Sequence, residues 1–231
     1  MSGDEAGAFG RVLDWAIDPA LERLAGQLAG VSGLAADERA VVVDAAAIVL
    51  REVLSRKVTR MLVLELNAAR LTGRLTALDA QGRWSEFLDL ASDPAYWQEL
   101  GTHYPRLLSR MDTLVANRCA ALTALGTRFA ADRAALAALA GADIGQLTGI
   151  RVGAGDSHRG GHTVTIVRCA DATVVYKPRP VEVDHRLSTL LSELTSDDAA
   201  PIRVPEVLAR DGYGWAEFVE HRHCADDAEL R

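Results

Sequence analysis

Between Gly153 and Arg179 the chain runs G-A-G-D-S-H-R-G-G-H-T-V-T-I-V-R-C-A-D-A-T-V-V-Y-K-P-R. Gly153, Gly155, Gly160 and Gly161 remove Cβ atoms from a short polar segment, so backbone N–H groups can approach an anion closely, as a phosphate cradle requires. Lys177 follows at the end of a β-branched run, where its ammonium group can neutralise phosphate charge. Without Gly160 and Gly161 upstream it would read as an exposed strand-end lysine. Asp156 and His158 stand two residues apart, and in an extended loop both side chains project to one side. A carboxylate and an imidazole so placed can move protons near neutral pH. By spacing alone, the plainer reading is that Asp156 caps the turn and His158 is a solvated loop residue. Arg179, after Pro178, is suited either to a phosphate contact or to a salt bridge.

The elements that would position these groups follow from the same stretch. Leu147 to Val152, His162 to Arg168 and Thr173 to Tyr176 are rich in β-branched residues and predict three strands, with Asp171-Ala172 reversing the chain between the last two. Val183 to Leu194 predicts a helix with Leu187, Leu190, Leu191 and Leu194 turned inward. Pro205 to Ala209 and Tyr213 to Glu220 predict a hairpin about Asp211-Gly212. Three strands, a helix and two strands is the order of a kinase-type small lobe, in which a glycine loop covers nucleotide phosphates and a lysine on a neighbouring strand pairs with them.

Upstream, the pattern is helical from Phe9 to about Leu139. Asp18-Pro19 suits an N-cap with proline at the first helical position, followed by Leu21, Leu24 and Leu28. After the break at Gly30 to Gly33, a long helix carries Leu50, Leu54, Val58, Met61 and Leu62 on one stripe. Its bases Arg51, Arg56, Lys57 and Arg60 read as a solvated face beside Glu52. Asp79 to Gly82 reads as loop, Asp93-Pro94 as a helix start and Pro105 as another. The alanine-rich run from Ala120 to Ala140 is a strong helix former whose small residues allow close packing. Trp84, Tyr96 and Trp97 have the spacing of core residues. The composition changes near Gly141-Ala142-Asp143, so the expected division is residues 1–141, all helical, and residues 142–231, a small lobe with a five-stranded antiparallel sheet. The expected class is α+β.

The motifs G-D-S-H-R-G-G and V-Y-K-P-R resemble the dehydratase domain of class II lanthipeptide synthetases, the LanM type. The resemblance extends to Leu64-Glu65-Leu66-Asn67, to R-L-T-G-R-L from Arg70 to Leu75, to Asp93-Pro94-Ala95-Tyr96 with Tyr104-Pro105, and to Trp215-Ala216-Glu217-Phe218-Val219-Glu220-His221. It covers roughly Ala40 to His223. It implies an enzyme that uses ATP with Mg2+ to phosphorylate Ser and Thr of a ribosomally made precursor peptide and then eliminates phosphate, giving dehydroamino acids in lantibiotic biosynthesis. It assigns Lys177, with Gly155, Gly160, Gly161 and Arg179, to the nucleotide, and Asp156 with His158 to the elimination. In that family zinc belongs to a separate cyclase domain. The chain stops soon after the expected hinge, so the resemblance leads us to expect an amino-terminal piece without the large catalytic lobe, inactive alone. Completion by a separately encoded lobe and a non-catalytic peptide- or partner-binding module are the alternatives.

Composition excludes several classes. Of 231 residues 49% are hydrophobic and 25% charged, as in a globular chain, and the net charge of −7 without a long basic run disfavours nucleic acid. The longest apolar stretch, near Val41, is interrupted by Asp44 and Arg51 and is too short to span a bilayer. The N-terminus lacks the features of a secretory signal, which makes the cytoplasm the expected compartment. Cys119, Cys169 and Cys224 are odd in number and widely spaced, as reduced thiols would be. His221-Arg222-His223-Cys224 has no second ligand group at zinc spacing, so no metal site is expected there.

Overall fold

The computed structural model describes residues 9, 11–153, 160–194 and 204–220. Gly155, Asp156, His158 and the segment His221 to Cys224 lie outside the described residues. The class is α+β, as expected, and the chain divides into two compact units: residues 1–130 with 157–162, and residues 131–156 with 163–231.

In the first unit, α1 (Asp14–Ala29), α2 (Ala36–Leu71), α3 (Ala80–Ser92), α4 (Pro94–His103) and the first part of α5 (Leu107–Ala140) enclose an aromatic core. Leu50, Leu54, Val58 and Leu62 recur every four residues along α2 and are all buried, while Arg56, Lys57 and Arg60 are exposed. Trp97 is fully buried and its indole N–H donates to the Ala91 carbonyl at 2.7 Å. Tyr96 is buried with it, and Trp84 packs at the core's edge against Phe9, ring centroids 5.2 Å apart. On the alanine-rich helix, a Cβ at Gly126 would stand 3.1 Å from Leu28, so this glycine lets α1 and α5 approach closely.

Three local expectations are corrected. Asp18-Pro19 does not begin a helix: Pro19 lies inside α1, which starts at Asp14. Ile17, Ala20, Leu24 and Leu28 bury one continuous face across the proline, and this burial offsets the one missing N–H donor; Asp14 is also paired with Arg51 of α2 at 3.1 Å. Asp79 to Gly82 is not a loop but the start of α3, because the Asp79 carboxylate accepts from the Gly82 amide at 2.7 Å. The helix expected from Pro105 begins at Leu107. By contrast Asp93 caps α4 as expected, accepting from the Ala95 amide at 2.8 Å with Pro94 in the first turn.

The second unit is built on a five-stranded antiparallel sheet: β1 (Leu147–Val152), β2 (Thr165–Cys169), β3 (Thr173–Lys177), β4 (Val207–Arg210) and β5 (Tyr213–Glu217), in the order β1-β2-β3-β5-β4. Asp211 and Gly212, the latter at φ +74°, turn β4 into β5. Asp132 anchors the sheet. Its carboxylate, on α5, accepts from Arg210 Nε at 2.7 Å, Tyr213 Oη at 2.8 Å and Trp215 Nε1 at 2.9 Å. Burial alone would push this carboxyl up, but the hydrogen bonds from Arg210, Trp215 and Tyr213 outweigh it and hold the group below its ordinary range. The connecting helix α6 (Glu182–Leu194) departs from expectation: Leu187 and Leu190 are about half exposed rather than inward, and Leu191 is intermediate. The side chain of Leu194 lies outside the description. The residue that seals this helix to the sheet is Val181, fully buried just ahead of it, against Gly214.

Candidate functional site

Strand β3 alternates buried Val174 and Tyr176 with half-buried Thr173, Val175 and Lys177. Period-two geometry therefore puts Lys177 on the face opposite the buried pair, at the strand's end, where it pairs in register with Gly214 of β5. Its Nζ lies 3.6 Å from Asp184 Oδ1, in the first turn of α6. Arg179 reaches the other oxygen of the same carboxylate at 3.1 Å and donates to the Pro180 carbonyl at 2.9 Å. One carboxylate thus holds two cations. At 3.6 Å the Lys177 contact is an ion pair too long for a good hydrogen bond, which leaves its donors for another acceptor. Lys177 and Arg179, assigned from sequence as phosphate-facing groups, are brought together, and the salt bridge foreseen as one option for Arg179 is present.

Asp184 was not singled out from sequence. The signal was an acid three residues into the helix after R-P-V, seven residues after Lys177, a spacing that matters only once the turn at Pro178 to Pro180 folds the helix back beside the strand. Glu193, the other acid well along α6, is exposed near its far end.

Gly160 and Gly161 belong to the first unit and have φ of +74° and +98°, conformations open to glycine and strained for other residues. They lie against α5: a Cβ on Gly160 would meet Asn117 at 3.6 Å, and one on Gly161 would meet Arg118 at 3.2 Å. The Arg118 guanidinium donates to the Gly161 carbonyl. Burial, then the positive charge of Arg56, lowers the pKa of Arg118. The pKa of His162, the next residue, is likewise lowered by burial, then by the positive charges of Arg128 and Arg118. These glycines and the pair around Asp184 lie in different compact units. Asp156, His158 and Gly155 lie outside the described residues, and Gly153, at φ +88°, is the last described residue before them.

The upstream segments that carry the resemblance converge within the helical unit. Tyr104 donates its hydroxyl to Glu65 at 2.7 Å, and Arg74 forks onto Glu99 with two bonds of 2.9 Å while its guanidinium sits 5.1 Å from the Tyr96 ring centroid. Burial, then the Glu65 charge, pushes the Tyr96 hydroxyl up to about 12. These contacts tie α2 and the turn after it to α4 and its C-terminal cap. Among the described residues no group of three or more His, Cys, Asp or Glu could hold a metal ion, and no helix is long and apolar enough to cross a membrane.

The family described as a domain of unknown function, DUF4135, matches residues 104–231. The chain belongs to this family. The DUF4135 match takes in α5, the whole sheet and α6, and so includes Arg118, Gly160, Gly161, Lys177, Arg179 and Asp184. Arg56 and Lys57 of α2 precede it. No curated protein matches the chain.

Proposed function

We propose that this chain supplies the helical leader and nucleotide-binding lobe of a peptide dehydratase of the lanthipeptide synthetase type, LanM-like. Such an enzyme transfers a phosphoryl group from ATP to Ser or Thr of a ribosomally made precursor peptide and then eliminates phosphate. The observation that carries the reading is the Lys177–Asp184–Arg179 cluster at the end of β3, downstream of a glycine-rich turn. Membership of DUF4135, a family associated with lanthipeptide synthetases, supports it.

Two cations around one carboxylate suit the phosphates of a nucleotide. Lys177 would neutralise phosphate oxygens, Asp184 would fix the lysine's position, and Arg179 would add a second, planar donor. ATP with Mg2+ would provide the transferable phosphoryl group and further charge neutralisation. In the elimination, a base takes the α-proton, the C–H electron pair becomes the Cα=Cβ bond, and the Cβ–O bond breaks to release phosphate. Asp156 and His158 are the residues proposed to move these protons, on the strength of the motif G-D-S-H-R-G-G.

The two half-reactions separate by mutation. Mass spectrometry of a Ser/Thr-containing precursor peptide after incubation with ATP, magnesium and a complete dehydratase that contains this chain should find it unmodified with Lys177→Ala. With His158→Ala the peptide should accumulate in phosphorylated form. Full dehydration by the His158→Ala protein would remove that residue from the mechanism, and phosphorylation by Lys177→Ala at the wild-type rate would remove the lysine.

A further inference from the structure

A second cationic site lies wholly within the helical unit. Helix α5 presents Arg110, Thr113, Leu114 and Asn117 at three- and four-residue spacing along one face, and α2 sets Arg56 and Lys57 opposite them. With Arg118 and the Gly160-Gly161 turn they enclose a concavity of about 390 Å³. No acidic residue lines it. Arg56 has a loose, exposed contact with Glu52 at 3.9 Å, while Lys57 and Arg110 have no carboxylate partner among the described residues. Four cations converge with only the nearby Glu52 of α2 to offset Arg56 and Arg118, a self-repulsion that a bound anion would relieve.

The concavity does not stand alone. Lys57, Arg110 and Leu114 also form one wall of a larger groove of about 740 Å³ that runs on over Leu54, Met61, Leu107 and Met111. The lining of that groove is largely apolar; Lys57 and Arg110 are shared with the concavity, and Arg106 and His103 also line the groove. A free anion would use only the small basic end. A peptide carrying a phosphoryl group would use both, its apolar side chains seated along α2 and α5.

We infer that this composite surface binds the phosphorylated Ser or Thr of a peptide, the phosphoryl group in the basic concavity between α2 and α5 and the flanking apolar residues in the adjoining groove. This rests on the dehydratase reading, in which a phosphopeptide is the intermediate. A holding site of this kind, distinct in residues from the Lys177 cluster, would keep that intermediate on the protein between phosphorylation and elimination. The guanidinium of Arg118, bonded to the Gly161 carbonyl, would link its occupancy to the glycine turn.

The test is fluorescence anisotropy with a short labelled peptide bearing one phosphoserine flanked by leucines, against its unphosphorylated twin, with inorganic phosphate and ATP as competitors. The phosphopeptide is expected to bind at least about ten-fold more tightly than the twin, and Lys57→Ala/Arg110→Ala is expected to abolish that difference. Both side chains are exposed, so the variant should keep the wild-type melting temperature. Lys177→Ala should leave peptide binding unchanged. Equal affinity for inorganic phosphate and phosphopeptide would assign the concavity to a free anion and overturn the peptide's part. Displacement by ATP as efficient as by phosphopeptide, or loss with Lys177→Ala but not with the double variant, would overturn the site. ATP binding lost in Lys177→Ala would then still stand, so the two readings fail separately.

Discussion

Asp184 and Asp132 show two different uses of a carboxylate within the same unit. Asp184 leaves Lys177 an ion pair at 3.6 Å, loose enough to be shared with an incoming phosphate, whereas Asp132 is fully engaged by three donors within 2.9 Å. Asp184→Asn should therefore weaken nucleotide binding by about ten-fold or less, since Lys177 keeps its charge and loses only its anchor. Binding assays that place Asp184→Asn level with Lys177→Ala would give the acid a larger part. Asp132→Ala removes a buried acceptor from Arg210, Tyr213 and Trp215 and should cost about 3 kcal/mol in urea unfolding. The pH dependence has a defined sign. The folded pKa is depressed, so the stabilisation is fully present above the ordinary value of 3.8 and is lost as pH falls through the lowered folded value. An acid-unfolding limb below 3.8 that flattens in Asp132→Asn is the expected result.

At the scale of elements, the tightest joint is between β5 and the residue entering α6. A Cβ on Gly214 would fall 2.2 Å from Val181 Cγ2 and 2.9 Å from the Leu208 carbonyl, so Gly214→Ala must displace strand or helix. It should destabilise the protein by about 3 kcal/mol, and adding Val181→Ala should recover part of that loss, as read by denaturant midpoints. This joint also explains what was legible in the sequence. Strand β1, the Asp93-Pro94 cap and the Leu50-to-Leu62 stripe were read correctly because each is fixed by local chemistry: β-branching, a capping carboxylate, a four-residue repeat. The inward leucines of α6 were misread because amphipathic spacing says only that a helix has an apolar face, not what covers it. Pro19 was misread because tertiary burial on both sides of a proline can override its local cost. In the sites, Lys177 was visible as a strand-end cation, but Asp184 and the α2–α5 basic concavity depend on folding distant segments together. The bases Arg56 and Lys57 were read as a solvated face and are exposed; that Arg110 and Arg118 stand near them was not legible, because those lie more than fifty residues away.

Over the whole molecule the net charge is −7, so an anionic ligand depends on local groups of cations, such as the Lys177–Arg179 pair and the α2–α5 concavity, rather than on a general basic surface. Nucleotide affinity should accordingly fall as salt is raised. The central claim is that Lys177 holds nucleotide phosphate, and the most direct measurement is calorimetric titration of ATP with magnesium into the wild-type protein and into Lys177→Ala. Saturable binding by the wild type, weakened at least about ten-fold in the variant, is the expected result. Equal binding by both proteins, or no binding by the wild type, would contradict it.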